Sequence, residues 1–291
     1  MGDYEALVHS AFGKEAPDTG NPEVLAWLIR RNALEMSRIS RGSHIGSVFS
    51  VAEIIATLYT GVMRVDPRNP GMPDRDRLIL SKGHAGSAVY AALAERGFFP
   101  VEQLKTHYAN GSILSGHVSH KGIPGVEVST GSLGHGLGIG TGMALGAKMD
   151  GASWRTFVVL GDGECDEGAV WESALQAAQY QLDRLIAIVD YNHMQSLFTV
   201  EETLKLEPFE QKWRDFGWNA RSVNGHDVNA LREALEQGKN QAGSGRPSVI
   251  LAHTVKGKGV SFMENNILWH YRTPQGEEYE AALKELEARR P

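Results

Sequence analysis

The sequence has a single cysteine, Cys165, and no apolar run long enough to cross a membrane. One cysteine excludes a framework of intrachain disulfide bonds and is compatible with a reducing compartment. The N-terminal stretch "MGDYEALVHSAFGKEAPDTG" lacks the basic start and apolar centre of a secretion signal. We therefore expect a cytoplasmic protein.

The sequence also lacks an excess of positive charge. It has 29 lysines and arginines against 35 aspartates and glutamates, which gives a formal net charge of −6. A chain with this balance is poorly suited to bind nucleic acid or an anionic membrane surface, and we expect neither as a partner. If it binds a phosphate group, the binding must rely on local amides, a few cations or a metal ion.

Two common phosphate-binding motifs are missing. The pattern G-x-x-x-x-G-K-[ST] fails in "AHTVKGKG", because Ala252 stands where the first glycine is required. The glycines that alternate between Gly134 and Gly142 never complete G-x-G-x-x-G, and they do not follow a predicted strand. A Rossmann-type, nicotinamide-dependent oxidoreductase is therefore the weakest of the functions that we consider.

Glycine, in contrast, is abundant, with 33 residues of 291. Several lie in "GSLGHGLGIGTGMALGAKMDG" (131–151), where the spacing of the apolar residues predicts a helix. Each glycine weakens a helix by about 1 kcal/mol relative to alanine. We infer that the backbone of this helix must approach another group closely.

The order of apolar and amphipathic segments predicts the fold class. "TFVVL" and "LIAIVDY" are continuous apolar runs of strand length with a helical pattern between them, as in a βαβ unit with buried strands. "WNARSV", "VNALREALEQG" and "SVILAHTV" continue the alternation. Near the start, Asn21 and Pro22 predict the beginning of one helix, and Ser50 with Glu53 predicts a capping box for another. We predict an α/β fold with a doubly wound parallel sheet flanked by helices.

Two polar residues follow consecutive predicted strands of this sheet. Asp162 lies in a Gly-Asp-Gly turn after the first strand, and Asn192 follows the second. Because the carboxyl ends of parallel strands lie at one edge, about 4.8 Å apart for neighbours, the two side chains can converge. Carboxylate and amide oxygens suit Mg²⁺ or Ca²⁺, and Mg²⁺ often binds phosphates as well. Equally, Asp162 could cap the next helix while Asn192 only begins a turn.

At this point the sequence resembles a known family. "GDGECDEGAVWESALQAAQYQLDRLIAIVDYN" is similar to the thiamine-diphosphate motif that begins with GDG and ends in asparagine. "SHIGS", "DRDRLILSKGHAGS", "GVEVSTGSLGHG", "HTVKGKGVSFMEN" and "WHY" follow the order of such segments in transketolase. The chain resembles the N-terminal, diphosphate-binding subunit of a split transketolase, whose other half is a separate polypeptide.

This resemblance implies a thiamine-diphosphate-binding PP domain over 23–291, with an N-terminal extension over 1–22 and a C-terminal helix at about 277–290. It implies a transferase that moves a two-carbon ketol unit from a ketose, usually phosphorylated, to an aldehyde acceptor. The pyrimidine-binding domain and its activating glutamate would lie on the partner subunit. We therefore expect activity only with that partner, in an α2β2 heterotetramer.

The resemblance also implies the residues that hold the cofactor. Mg²⁺, for which Ca²⁺ can substitute, would be bound by Asp162, Asn192 and the backbone carbonyl of Met194. Gly131 would accept a hydrogen bond from the 4′-amino group, and Leu133 would wedge against the bent cofactor. The resemblance thereby implies that the backbone of the glycine-rich helix lies against a ligand. The full set implied for thiamine diphosphate is His84, Gly131, Leu133, Gly161, Asp162, Gly163, Glu164 and Asn192.

Four histidines are implied to be catalytic. His84 would reach the diphosphate and the reacting centre, whereas His44, His117 and His270 would line the substrate channel and move protons. Glu167 would face the partner subunit. Relatives commonly have proline after the histidines that match His44 and His117, and these departures leave room for an unusual acceptor.

Two further functions stay open at this stage. The α subunit of a 2-oxoacid dehydrogenase E1 component shares the metal motif, although the histidine loops and "KGKGVSFMEN" favour transketolase. The chain could also be a non-catalytic, cofactor-binding subunit.

Overall fold

A computed structural model describes residues 18–291, so the predicted extension over 1–22 lies largely outside the described residues. In the described part, five strands form one entirely parallel sheet in the order β1-β2-β3-β5-β4. This arrangement confirms the predicted parallel α/β fold. The strands are β1 (Arg77–Leu80), β2 (Thr156–Gly161), β3 (Leu185–Tyr191), β4 (Asn219–Asn224) and β5 (Ser248–His253).

Helices cover both faces of the sheet. The α-helices are α1 (Pro22–Ser40), α2 (Ile45–Ser50), α3 (Ala52–Thr57), α4 (Gly86–Glu95), α5 (His135–Met149), α6 (Gly168–Gln179), α7 (Val200–Thr203), α8 (Phe209–Asp215), α9 (Val228–Lys239) and α10 (Glu277–Ala288). Short 3-10 segments are Gly83–Ala85, Val101–Thr106, Gly163–Asp166 and Ile267–His270, and a π-helical turn spans Leu58–Val62. Of the helices within 18–291, none is both long and apolar enough to span a bilayer.

The continuous apolar runs predicted to be strands are explained by burial on both faces of the sheet. Successive side chains of a strand point to opposite faces. In β2, Phe157 and Val159 therefore belong to one core and Val158 and Leu160 to the other, and all four are fully buried.

The predicted start of α1 is confirmed. The side chain of Asn21 accepts hydrogen bonds from the backbone of Glu23 and Val24, at 2.8 Å and 3.3 Å, and Pro22 occupies the first turn. At the other end of the chain, α10 packs against α1, where the Trp27 indole donates to the carbonyl of Leu286 at 2.8 Å.

The predicted capping box of Ser50 and Glu53 is wrong. A helix already runs from Ile45 to Ser50, and the Ser50 hydroxyl donates to the Asp190 carboxylate at 2.6 Å. Glu53 instead forms a buried ion pair with Arg30 at 2.6 Å. Both side chains are used by tertiary contacts, because these helices are buried on nearly every side.

The glycine-rich segment does form a helix, α5, and two of its glycines lie against the sheet. A Cβ on Gly136 would come within 2.3 Å of the Ser81 hydroxyl, and one on Gly140 within 2.5 Å of Val158. At these positions the close approach is therefore to the sheet, and the expectation that the helix backbone lies against a ligand is wrong there, because the glycines make room for Ser81 and Val158. Gly142 has nothing within 4 Å of such a Cβ.

Candidate functional site

A cavity of about 270 Å³ lies at the carboxyl edge of the sheet. It is lined by residues that follow β1, β2, β3 and β5 and by segments from the long loop between α4 and α5. Of the residues predicted from the sequence, all but Glu167 line this cavity: His44, His84, His117, Gly131, Leu133, Gly161, Asp162, Gly163, Glu164, Asn192, Met194 and His270.

Asp162 and Asn192 follow neighbouring strands and line the same cavity, as the topology predicted. Asp162 is 3% exposed, and its carboxylate accepts hydrogen bonds from the backbone of Gly163 at 2.7 Å and of His193 at 2.6 Å. The side-chain oxygen of Asn192 accepts from the backbone of Met194 at 3.1 Å. Asp162 thus caps the short helix after its own turn and also binds the turn after β3. Its role as a metal ligand stays a prediction.

The site carries buried negative charge. Burial and the neighbouring charge of Asp190 raise the pKa of the Asp162 carboxyl to about 7. Asp190 itself is fully buried and forms an ion pair with Lys82, so that lysine is already engaged. A cation bound at Asp162 would relieve this unfavourable burial, which fits a divalent metal with hard oxygen ligands.

Two lysines at this site were missed from the sequence. Lys82 and Lys256 each have 1% exposure and line the cavity. The ammonium group of Lys256 donates to the carbonyls of Met194 and Gln195, at 3.2 Å and 2.7 Å. Burial and the charge of Lys82 lower the pKa of Lys256 to about 8. Both lysines stand inside recognisable motifs, "SKGH" and "TVKGKG", but a lysine in a loop is normally exposed.

The four predicted histidines form one cluster around His44. Its ring centroid lies 5.1 Å from that of His84, 5.8 Å from that of His117 and 4.9 Å from that of His270. The backbone of His44 has a φ of 75°, in the left-handed region that non-glycine residues rarely adopt, and its N–H donates to the His270 carbonyl at 2.7 Å. Such strain is typical of functional sites.

Three of these histidines, His44, His84 and His270, are held in the neutral state. Burial, with the charges of His117 and Lys256, lowers the pKa of His44 to about 4. Burial and the charge of Lys256 lower the pKa of His270 to about 3, and burial with Lys82 holds the pKa of His84 well below its ordinary value. A neutral imidazole has one donor and one acceptor nitrogen, so it can both give and take a proton.

The rim of the cavity contains Gly131, Leu133 and Tyr271. Gly131 has a φ of 154°, and a Cβ there would lie 3.2 Å from the ring of His117. Leu133 is 37% exposed despite its apolar side chain. Tyr271, which we did not select from the sequence, is also exposed, and its ring lies 4.7 Å from that of His270.

The backbone amides of the two glycines in the Gly-Asp-Gly turn are already bonded. The N–H of Gly161 donates to Glu164 at 3.0 Å, and that of Gly163 donates to Asp162 at 2.7 Å. A diphosphate would have to compete with these carboxylates for the two donors. Contacts from both glycines to a diphosphate therefore stay a prediction.

Glu167 lies outside the cavity. It is exposed directly before α6, and its side chain makes no capping hydrogen bond to that helix. A Cβ on Gly134 would come within 2.7 Å of the Glu167 Cβ, so Glu167 stands beside the segment that carries Leu133.

Known proteins are similar to this chain over most of its length. The family described as "Transketolase, thiamine diphosphate binding domain" matches residues 23–286. The chain is 44% identical to a 6-deoxy-6-sulfo-D-fructose transketolase subunit of Clostridium sp., across 89% of this chain and 94% of the relative. It is 40% identical to an apulose-4-phosphate transketolase subunit of Phocaeicola vulgatus, across 89% and 92%.

Among solved structures, the transketolase of Campylobacter jejuni superimposes with a TM-score of 0.84 at 29% identity. The superposition covers 92% of this chain and 42% of that one. The chain therefore spans less than half the length of this transketolase, whereas it matches nearly the full length of the two relatives that are named as subunits.

Proposed function

Because the chain belongs to the transketolase family through its thiamine-diphosphate-binding domain, we propose that it is the diphosphate-binding subunit of a two-chain transketolase. The observation that carries this proposal is that Asp162, Asn192 and Met194 line the same cavity as the four clustered histidines. In this proposal the metal site anchors one end of the cofactor and the histidines surround the substrate.

The donor set fits Mg²⁺. One carboxylate, one amide oxygen and one backbone carbonyl supply hard oxygen ligands, and the diphosphate and water would complete the shell. The Asp162 carboxylate is buried and raised in pKa, so binding a cation there is favourable. Ca²⁺ has the same preference for oxygen ligands and can substitute.

When bound, thiamine diphosphate supplies a nucleophilic carbon and an electron sink. The chain's own contribution is proton transfer and orientation. Neutral His44, His84 and His270 can accept a proton from a substrate hydroxyl and return it to a carbonyl oxygen. His117, exposed at the opening of the cluster, would meet the substrate first. Burial, together with the charges of Lys82 and Lys256, keeps the imidazoles of His84 and His270 uncharged.

We propose a ketose donor with an anionic end group, transferring a two-carbon ketol unit to an aldehyde. The two subunit relatives are named for a sulfonated ketose and a ketose phosphate. The lysines that line the cavity, Lys82 and Lys256, are both engaged inside the protein. The cations that recognise the far end of the substrate would therefore come from the partner subunit.

That partner is proposed to be the chain with the pyrimidine-binding domain, in an α2β2 assembly in the cytoplasm. Exposed Leu133 at the rim and Glu167 beside it are the residues of this chain that we place against it. The cofactor would then lie between the two chains.

The proposal is tested by reconstitution. The chain and a candidate partner are mixed with Mg²⁺ and thiamine diphosphate, and aldehyde released from sugar-phosphate and sulfonated ketose donors is measured with a coupled dehydrogenase. We expect neither chain to be active alone and activity to saturate at equimolar mixing.

Titration of the partner with this chain also distinguishes a transketolase subunit from the other candidate functions. A non-catalytic subunit would leave the partner's own turnover in place when it is omitted. Release of aldehyde from no ketose donor, combined with decarboxylation of a 2-oxoacid, would replace transketolase by an E1-type function.

A further inference from the structure

Glu164 lines the cavity, but its carboxylate is bonded entirely to the protein. The residue is 2% exposed. One carboxylate oxygen accepts hydrogen bonds from the Ser81 hydroxyl and from the backbone of Gly134, the latter at 2.8 Å. The other oxygen accepts from the backbone of Gly161 at 3.0 Å. One side chain thus joins three separate segments of the chain.

Each of these segments carries part of the proposed site. Ser81 follows β1 and precedes His84. Gly134 follows the Gly131-to-Leu133 segment, and Gly161 precedes Asp162. The bonds to Glu164 therefore fix the distance between the segment of His84, the rim beside the cofactor ring and the metal-binding turn.

Ser81 extends this network to the glycine-rich helix. Its hydroxyl accepts a hydrogen bond from the backbone of Gly136 at 3.1 Å while it donates to Glu164. A Cβ at Gly136 would lie only 2.3 Å from that hydroxyl, so the helix start rests directly on Ser81. The beginning of α5 is consequently held by the same carboxylate, through one serine.

We propose that Glu164 is a positioning residue, which holds these three segments in the arrangement that binds the cofactor before the cofactor arrives. This inference rests on the proposed function and changes the role expected for Glu164 from direct contact to support. A preorganised site binds its ligand more tightly, because no free energy is needed to order its segments when the ligand binds.

The arrangement requires a glutamate. Three donors converge on two carboxylate oxygens, and glutamine has only one oxygen. In Glu164→Gln, the amide NH₂ would face at least one backbone N–H and break its hydrogen bond. Ser81→Ala removes one of the three donors and leaves the carboxylate with two, so a smaller effect is expected.

Asp76 offers a matched control at the opposite end of the sheet. It is also 2% exposed, and its carboxylate also joins two backbone segments, through the N–H groups of Arg64 and Arg155 at 2.8 Å each. Asp76→Asn should lower stability like Glu164→Gln but should leave cofactor binding within about twofold of the original.

The first measurement is the Kd of thiamine diphosphate at saturating Mg²⁺, determined by calorimetry on the chain alone and compared with the cofactor KM and kcat of the reconstituted enzyme. We expect Glu164→Gln to raise Kd and KM at least about tenfold. At saturating cofactor most of kcat should return, because the residue touches no reacting atom.

The second measurement is hydrogen exchange of the free chain, and it does not depend on cofactor binding. In Glu164→Gln at least one of the amides of Gly134 and Gly161 should exchange faster, whereas Asp76→Asn should leave both unchanged. Unchanged exchange at both glycines overturns the positioning role, as does a cofactor Kd equal to that of the Asp76→Asn control. If Glu164→Gln does not fold, the same two measurements are made on Ser81→Ala. The positioning role then predicts a raised cofactor Kd and faster exchange of the Gly136 amide, which donates to the Ser81 hydroxyl. Failure of the unsubstituted chain to bind thiamine diphosphate even when mixed with its partner would instead contradict the proposed function.

Discussion

The carboxylate of Asp162 and the backbone N–H of His193 are joined by a hydrogen bond of 2.6 Å. This bond connects the turn after β2 to the turn after β3, and the proposed metal ligands lie on both turns. His193 has a φ of 64°, in the left-handed region that non-glycine residues rarely adopt. The proposed metal site would thus be assembled from residues at the ends of two parallel strands.

Substitution of Asp162 by alanine should abolish metal-dependent binding of the cofactor. We expect thiamine diphosphate with Mg²⁺ to raise the melting temperature of the unsubstituted chain and to leave that of Asp162→Ala unchanged, because binding to the folded state alone stabilises it. Asp183→Ala is the control. Asp183 lies just before β3, and its carboxylate accepts hydrogen bonds from the backbone of Gly243 and Gly245, so its loss should leave the thermal shift in place. A full thermal shift in Asp162→Ala would refute the metal assignment.

Lys256 should be required for cofactor affinity, unlike its neighbour Lys258. The Lys256 ammonium holds the Met194 and Gln195 carbonyls and contacts the His270 ring nitrogen at 3.0 Å. Lys256→Met should raise the Kd of thiamine diphosphate about tenfold, since buried charge-assisted bonds to the metal-binding turn are lost. Lys258→Met should bind normally, because that lysine is partly exposed and lies 3.7 Å from Glu264. Equal affinities of the two variants would contradict this role.

Two glycines of the same segment should respond in opposite directions to alanine. Gly131→Ala places a side chain on strained backbone beside His117 and should lower the free energy of unfolding by about 1–2 kcal/mol. Gly142→Ala, in open helix, should raise it by about 0.5–1 kcal/mol. Urea denaturation measures both changes. A stabilised Gly131→Ala variant would show that this backbone is not constrained.

The buried pair of Glu53 and Arg30 should make stability depend on pH. Burial alone raises the pKa of Glu53, but the charge of Arg30 and hydrogen bonds from His226 and Arg30 outweigh it and lower the pKa to about 2. The ordinary value is 4.5, so the ionised group stabilises the folded state fully above that pH and progressively less as pH falls toward 2.

Glu53→Gln removes this contribution. We expect the variant to be about 3 kcal/mol less stable than the unsubstituted chain near pH 7, with about half of that difference remaining at pH 3. Urea denaturation at several pH values measures it. A difference that stayed constant between pH 7 and pH 3 would show that the loss came from packing and not from ionisation.

The sequence by itself determined the parallel sheet and the edge at which the site lies. Continuous apolar runs such as "TFVVL" and "LIAIVDY" are typical of strands that are buried on both faces of a sheet. Two such strands joined by one helix run in the same direction, so they end at the same edge of the sheet. The convergence of Asp162 and Asn192 followed from that topology, and the family resemblance supplied the histidines.

Only the tertiary structure decided how side chains from distant segments are shared. Ser50 and Glu53 have the spacing of a helix cap, but Ser50 donates to Asp190 of β3 and Glu53 pairs with Arg30 of α1. Lys82 forms a buried ion pair with Asp190. The carboxylate of Glu164 accepts hydrogen bonds from the backbone of Gly134 and Gly161. Local spacing cannot reveal such choices, because the competing partners become neighbours only when the chain has folded.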